Sequence, residues 1–296
     1  MKAQMKTEIT QWLLDEIKLP LQLDLPTTTL ASGVKVPSFY GISLLHDGIK
    51  DRPITNFAEL AEELNSYDCV VLPGMYGTGK TRTEFELLSV NWGFFMLSSV
   101  NKEGSEAFSV MITDCQRKLF RPDVQTLTNE ACFKWIINNI DCLLLAHLLV
   151  LKHTKRLLGD NLTPDKWLIF HCCWQKCQSR DFITGLYCKL REIGLVNLWL
   201  SEVIAELPKE MGTLTCILDR AHYLLRPLDV HPLCSTPEVT TGRRPIFSSV
   251  VRHLQDFPFK VLVSGTSPEL ATMTDEAWQK GSISVFTRFF QIWDGE

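Results

Sequence analysis

Residues 69–81 read Cys69-Val70-Val71-Leu72-Pro73-Gly74-Met75-Tyr76-Gly77-Thr78-Gly79-Lys80-Thr81. An apolar run enters a glycine-rich turn, and helical spacing follows from Thr81 to about Val90. A short strand that is apolar at every position is buried on both faces, as in a parallel sheet. Gly74 to Thr81 fits G-x-x-x-x-G-K-[ST] at every fixed position. Glycines let the backbone curl until its N–H groups converge on phosphate oxygens, and the following helix adds its positive N-terminal end. In that arrangement Gly74, Met75, Tyr76, Gly77, Thr78, Gly79 and Lys80 cradle the phosphates. Lys80 reaches the β/γ oxygens, the Thr81 hydroxyl binds Mg²⁺, and Arg82 joins the nucleotide-contacting set.

Moving outward, the chain alternates apolar strands with helical patterns. Asn56 to Leu64 reads as a short helix and Phe94 to Ser98 as a second strand. A helical stretch spans Leu127 to about Leu158, and Trp167-Leu168-Ile169-Phe170 fits either a strand or the start of a buried helix. Phe182 to Ile193 and Leu198 to Leu207 read as helices, Leu214 to Leu218 as a strand ending in Asp219. Pro245 to Phe257 reads as a helix with proline in its first turn, and Lys260 to Ser264 as another buried strand. Ser282 to Phe290 offers a final strand. The alternation predicts an α/β three-layer sandwich, its central sheet mostly parallel, with a helical insert over about residues 124–211. Residues 1–65 are expected to form a helical and loop-rich lead-in, and 66–296 the nucleotide-binding domain.

A phosphate loop needs an acid near its Mg²⁺, at the end of another strand. Asp219 fits by following the 214–218 run; a strand-end aspartate can also cap the next helix. The following residues are Arg220-Ala221-His222. Arg220 cannot act as a base, because its guanidinium stays protonated. His222 could orient water, although a helix-surface histidine is the plainer reading. A polar residue ending the strand beside the phosphate loop could contact the γ-phosphate, which singles out Ser264 and Thr266. Arg244, in Arg243-Arg244-Pro245, could add positive charge, against the reading of a solvated basic turn.

Gly77-Thr78-Gly79-Lys80-Thr81-Arg82-Thr83, then Glu86-Leu87-Leu88 and Trp92-Gly93-Phe94-Phe95, resembles the P-loop NTPase modules of crinkler-type proteins in fungi and oomycetes. Arg244-Pro245 and Val263-Ser264-Gly265-Thr266 extend the resemblance across about residues 67–270. It implies an ATPase-type α/β module, with the loop, acid and sensor roles given above, and the layout is expected to be of the additional-strand type. Such modules usually carry Glu where this chain has Arg220, and often Gln where it has His222.

The chain has 296 residues, 45% hydrophobic and 22% charged, with a net charge of −4. That balance suits a globular protein with a sizeable core and gives no global attraction to nucleic acid. Cys142 to Leu151 is too short to span a bilayer and reads as a buried helix. Ile9, Trp12, Leu13 and Ile17 follow helical spacing, and acidic residues interrupt any secretory signal in this region. The ten cysteines are accordingly expected to be reduced thiols in an intracellular protein, cytoplasmic or nuclear. His171, Cys172, Cys173, Cys177 and Cys188 lack the paired spacing of a zinc site and read as buried groups. Lys152, His153, Lys155 and Arg156 read as a solvated basic run.

Together these features lead to the expectation of a Mg²⁺-dependent ATP-binding NTPase that hydrolyses ATP, with a hydrolysis-deficient, nucleotide-controlled interaction module as the alternative. No N-K-x-D guanine motif is evident, which favours ATP. A protein partner or a second copy of the chain fits either reading; a membrane partner does not.

Overall fold

The computed structural model describes residues 2–17, 27–29, 35–37, 57–74, 79–98, 106–119, 129–178, 181–194, 196–224, 246–266, 270 and 283–285. The strands are β1 (Thr27–Thr29), β2 (Lys35–Pro37), β3 (Cys69–Pro73), β4 (Gly93–Leu97), β5 (Leu214–Asp219), β6 (Phe259–Gly265) and β7 (Ile283–Val285). The helices are α1 (Lys2–Glu16), α2 (Phe57–Ser66), α3 (Lys80–Val90), α4 (Ala107–Leu119), α5 (Asn129–Leu158), α6 (Pro164–Gln178), α7 (Phe182–Ile193), α8 (Asn197–Glu206), α9 (Pro208–Met211) and α10 (Ile246–Leu254).

β1 and β2 form a separate antiparallel pair. The other five strands form one sheet in the order β4-β5-β6-β3-β7, parallel throughout. The α/β class and the parallel sheet are as the sequence predicts. Successive strand residues face opposite sides, and the core divides accordingly. Val70, Leu72, Phe95, Leu97, Ile217 and Leu262 pack with residues of α2, α3 and α6. Cys69, Val71, Phe94, Met96, Cys216, Leu218, Val261 and Val263 pack with α1, α4, α5, α7, α8 and α10. Helices therefore cover both faces.

Among the helices between β4 and β5, α5 is 30 residues long. Length and composition alone would let it cross a bilayer, but 78% of its most apolar stretch is buried inside the protein. Ile9, Leu13 and Ile17 bury the N-terminal helix in this same layer, where Trp12 meets Phe182 edge-on. The basic run near the end of α5 is only partly solvated. His153 is buried, Lys152 pairs with Glu206, and Lys155 lies over the Trp92 ring.

The ambiguous Trp167–Phe170 run belongs to helix α6. This helix wraps the border of the sheet. Trp167 Nε1–H donates to Gly93 O at 2.7 Å, and Phe95 N–H donates to His171 Nε2 at 2.9 Å. His171 Nδ1–H donates in turn to Trp167 O at 3.1 Å. Trp92 O accepts from Thr215 N–H in β5, so odd-numbered residues of β4 direct their backbone groups away from the sheet. Trp167 and His171 occupy two of those outward groups.

Candidate functional site

The chain leaves β3 toward β4, at one border of the sheet, and leaves β6 toward β7, at the other. Where neighbouring parallel strands send their connections in opposite directions, a crevice opens beyond their carboxyl ends. β3 and β6 are such neighbours, paired Leu72 to Ser264 and Pro73 to Gly265. Gly74 N–H donates to Gly265 O at 3.1 Å and ties the two ends together.

Asp219 and Ser264 lie two residues beyond Ile217 and Leu262, so their side chains share the face covered by α3. That helix begins after Gly79, whose φ of 85° lies in the left-handed region that only glycine enters freely. Lys80, Thr81 and Glu84 lie within one turn and project toward the same strands. Lys80 Nζ donates to Gly74 O at 2.8 Å. Thr81 Oγ1 approaches Asp219 Oδ2 at 3.3 Å across 138 residues of sequence. Asp219 Oδ1 accepts from Ser264 Oγ at 2.7 Å and from Arg220 N–H at 2.7 Å. Arg220 holds a φ of 57°, unusual for a residue with a side chain.

Lys80, Asp219, Ser264 and Glu84 are all buried. Burial lowers the pKa of the Lys80 ammonium, while Glu84 and Asp219 oppose that shift. Burial raises the pKa of the Glu84 carboxyl well above the usual range, and the charge of Asp219 pushes it the same way. Ser264, Lys80 and Arg220 counteract it. The Ser264 hydroxyl lies beside Glu84 but directs its hydrogen to Asp219, and neither Glu84 oxygen has a hydrogen-bond partner.

Of the residues singled out in the sequence, the structure brings Gly74, Gly79, Lys80, Thr81, Asp219 and Ser264 together. Thr266 is exposed just beyond them. Arg82 is buried on α3, its Nε 3.5 Å from Glu86 Oε1. Met75, Tyr76, Gly77, Thr78 and Arg244 lie outside the described residues, as does the side chain of His222. Glu84 is the member that sequence reading missed. Its signal was present: an acid three residues after Thr81, in a helix whose Phe85, Leu87 and Leu88 are apolar on more than one side.

Comparison with known proteins adds no relative. No protein-family model matches the chain, and neither the curated proteins nor the solved structures give a match.

Thr81 and Asp219, which meet at 3.3 Å, and Glu84, close enough to feel the Asp219 charge, offer hard oxygen donors, the chemistry that Mg²⁺ and Mn²⁺ prefer. Both oxygens of buried Glu84 lack a partner, so the donor set fits such an ion. Among the described residues, no three or more His, Cys, Asp or Glu side chains are grouped to hold a metal. Cys172 is a free buried thiol whose pKa burial raises. The side chains of Cys173 and Cys177 lie outside the described residues.

Proposed function

We propose that this chain is a Mg²⁺-dependent ATP-binding NTPase of the P-loop class, hydrolysing ATP to ADP and phosphate. The observation that carries the reading is the approach of Thr81 Oγ1 to Asp219 Oδ2 at 3.3 Å. Chance matches to the loop motif give no reason for a distant strand-end acid to meet the motif's hydroxyl. The strand order supports the same reading, because β6 lies between β3 and β5. In this reading β6 is the additional strand expected of such a module.

In this reading backbone amides from Gly74 to Lys80 hold the phosphates, and Lys80 exchanges its bond to Gly74 O for the β/γ oxygens. Thr81 and Asp219 would hold Mg²⁺, whose chemistry there is to neutralise charge on the phosphate oxygens. Ser264 fixes Asp219 through its hydrogen bond, and Thr266 and Arg244 remain candidates for the γ-phosphate. Phosphoryl transfer to water then depends on positioning and charge stabilisation.

The second reading is a module that binds ATP, does not turn it over, and controls a partner by its bound state. Arg220 favours it, since the residue after the acid cannot accept a proton.

The test is ATP binding and phosphate release measured on one purified sample with Mg²⁺, wild type beside Lys80→Ala. Hydrogen bonds to charged groups contribute about 1.5–3 kcal/mol, so Lys80→Ala should weaken ATP by about 10- to 100-fold. Its circular dichroism should match wild type. Undiminished binding in a folded variant would sink the phosphate-loop assignment. Lys80-dependent binding without release would select the second reading.

A further inference from the structure

We propose that Glu84 is a third oxygen donor of the divalent-cation site, so that Glu84, Asp219 and Thr81 together hold a divalent ion before any nucleotide arrives. The proposal rests on the reading of Thr81 and Asp219 as the metal pair and goes beyond it by adding a residue from the interior of the helix.

Glu84 is wholly buried at 0% exposure, and neither carboxyl oxygen has a hydrogen-bond partner. A buried carboxylate is ordinarily matched by an ion pair, by hydrogen bonds or by a metal. Glu84 has Lys80 and Arg220 in its electrostatic surroundings, but neither bonds its oxygens. The Lys80 ammonium is engaged with Gly74 O. The Arg220 backbone N–H and the Ser264 hydroxyl are both directed at Asp219 Oδ1.

Asp219 Oδ2 faces Thr81 Oγ1, and Glu84 stands one helical turn after Lys80, beside Asp219 and Ser264. An octahedral Mg²⁺ or Mn²⁺ takes one or two carboxylates and keeps several waters. Glu84 can bind such an ion directly or accept a hydrogen bond from one of its waters. Either way the ion would favour the ionised form of this carboxyl, which burial and the charge of Asp219 oppose and the nearby charges of Lys80 and Arg220 only partly restore. Of the other buried charged residues of α3, Lys80 donates to Gly74 O and Arg82 pairs with Glu86 at 3.5 Å, whereas the oxygens of Glu84 have no hydrogen-bond partner.

The experiment titrates MnCl₂ into the full chain without nucleotide, following free Mn²⁺ by electron paramagnetic resonance, for wild type and Glu84→Gln. Glutamine keeps the size of the side chain and removes its capacity to ionise. Wild type should bind one Mn²⁺, and Glu84→Gln should bind it about 10- to 100-fold more weakly, as when a metal loses a supporting carboxylate. Absence of Mn²⁺ binding by wild type, or equal affinity in both proteins, would overturn the proposal. Should Glu84→Gln not fold, Glu84→Asp takes its place, keeping the charge but withdrawing it by one methylene. Weaker Mn²⁺ binding then supports the site and unchanged binding overturns it. Because nucleotide is absent, the two proposals can fail separately. A chain that binds ATP but no Mn²⁺ alone retains its function and loses this site; Mn²⁺ binding without any ATP affinity does the reverse.

Discussion

Gly93 opens β4 at a point where a side chain has no room. A Cβ there would lie 2.0 Å from Thr215 O and 2.7 Å from Leu88 Cδ2. The first contact is with backbone of the neighbouring strand, which cannot move without breaking the sheet register. Gly93→Ala should therefore cost about 3 kcal/mol, read as a lower urea midpoint with an unchanged slope. Equal stability would mean that β4 and β5 can part locally. In sequence this glycine carried meaning only through the Trp92-Gly93-Phe94-Phe95 resemblance. The site residues differ in legibility for physical reasons. Lys80 and Thr81 are marked by fixed spacing, and Asp219 by its place after an apolar run. Ser264 was visible as a polar strand end, but its hydrogen bond to Asp219 is a matter of tertiary distance. Glu84 stayed hidden because acids in helices usually face water, whereas α3 is covered along nearly its whole length.

Among the elements, α6 shows where local pattern runs out. A four-residue apolar run suits a buried strand as well as a buried helix. The helix prevails because the run sits inside 15 residues of continuous helix, with Trp167 and His171 one turn apart and both reaching β4. Trp167→Phe keeps an aromatic ring but removes the N–H and part of the indole, leaving Gly93 O without its donor and a small void beside it. The expected cost is about 1–3 kcal/mol by chemical denaturation; no loss would show that water replaces the indole. Helix α4 received no assignment from the sequence, although Ala107, Phe108, Met111, Ile112 and Cys115 are buried at helical spacing. β1 and β2 are three residues each, too short to leave a period. The final strand was legible within Ser282 to Phe290 and proves to pair with β3.

For the molecule as a whole, the parallel sheet could be read from uniformly apolar strands, but the strand order could not, because order is decided by pairings between distant segments. The helical layer adds a pH response. Burial lowers His147 to about 4 and His171 to about 3. The charge of His147 also works against protonation of His171. Both folded values lie below the ordinary value of about 6.5, so the unfolded chain takes up protons first. Their contribution is complete above pH 6.5 and is lost as pH falls toward 4 and then 3. Each histidine should remove roughly 1.4 kcal/mol per pH unit across its window. Denaturation at pH 7, 6 and 5 should show this decline, and His171→Gln should make it shallower. An identical slope would exclude His171 as a contributor.

β4 is Gly-Phe-Phe-Met-Leu, without a charge or a proline, at the border of a parallel sheet. Such a segment, left bare, is a template for fibril growth. With Gly93 O bound to an indole and Phe95 N–H to an imidazole, an incoming extended chain meets aromatic rings where it would need free amide groups. Resistance to self-templated aggregation at this border is thus conferred by a neighbouring helix, and it lasts only while that helix stays docked.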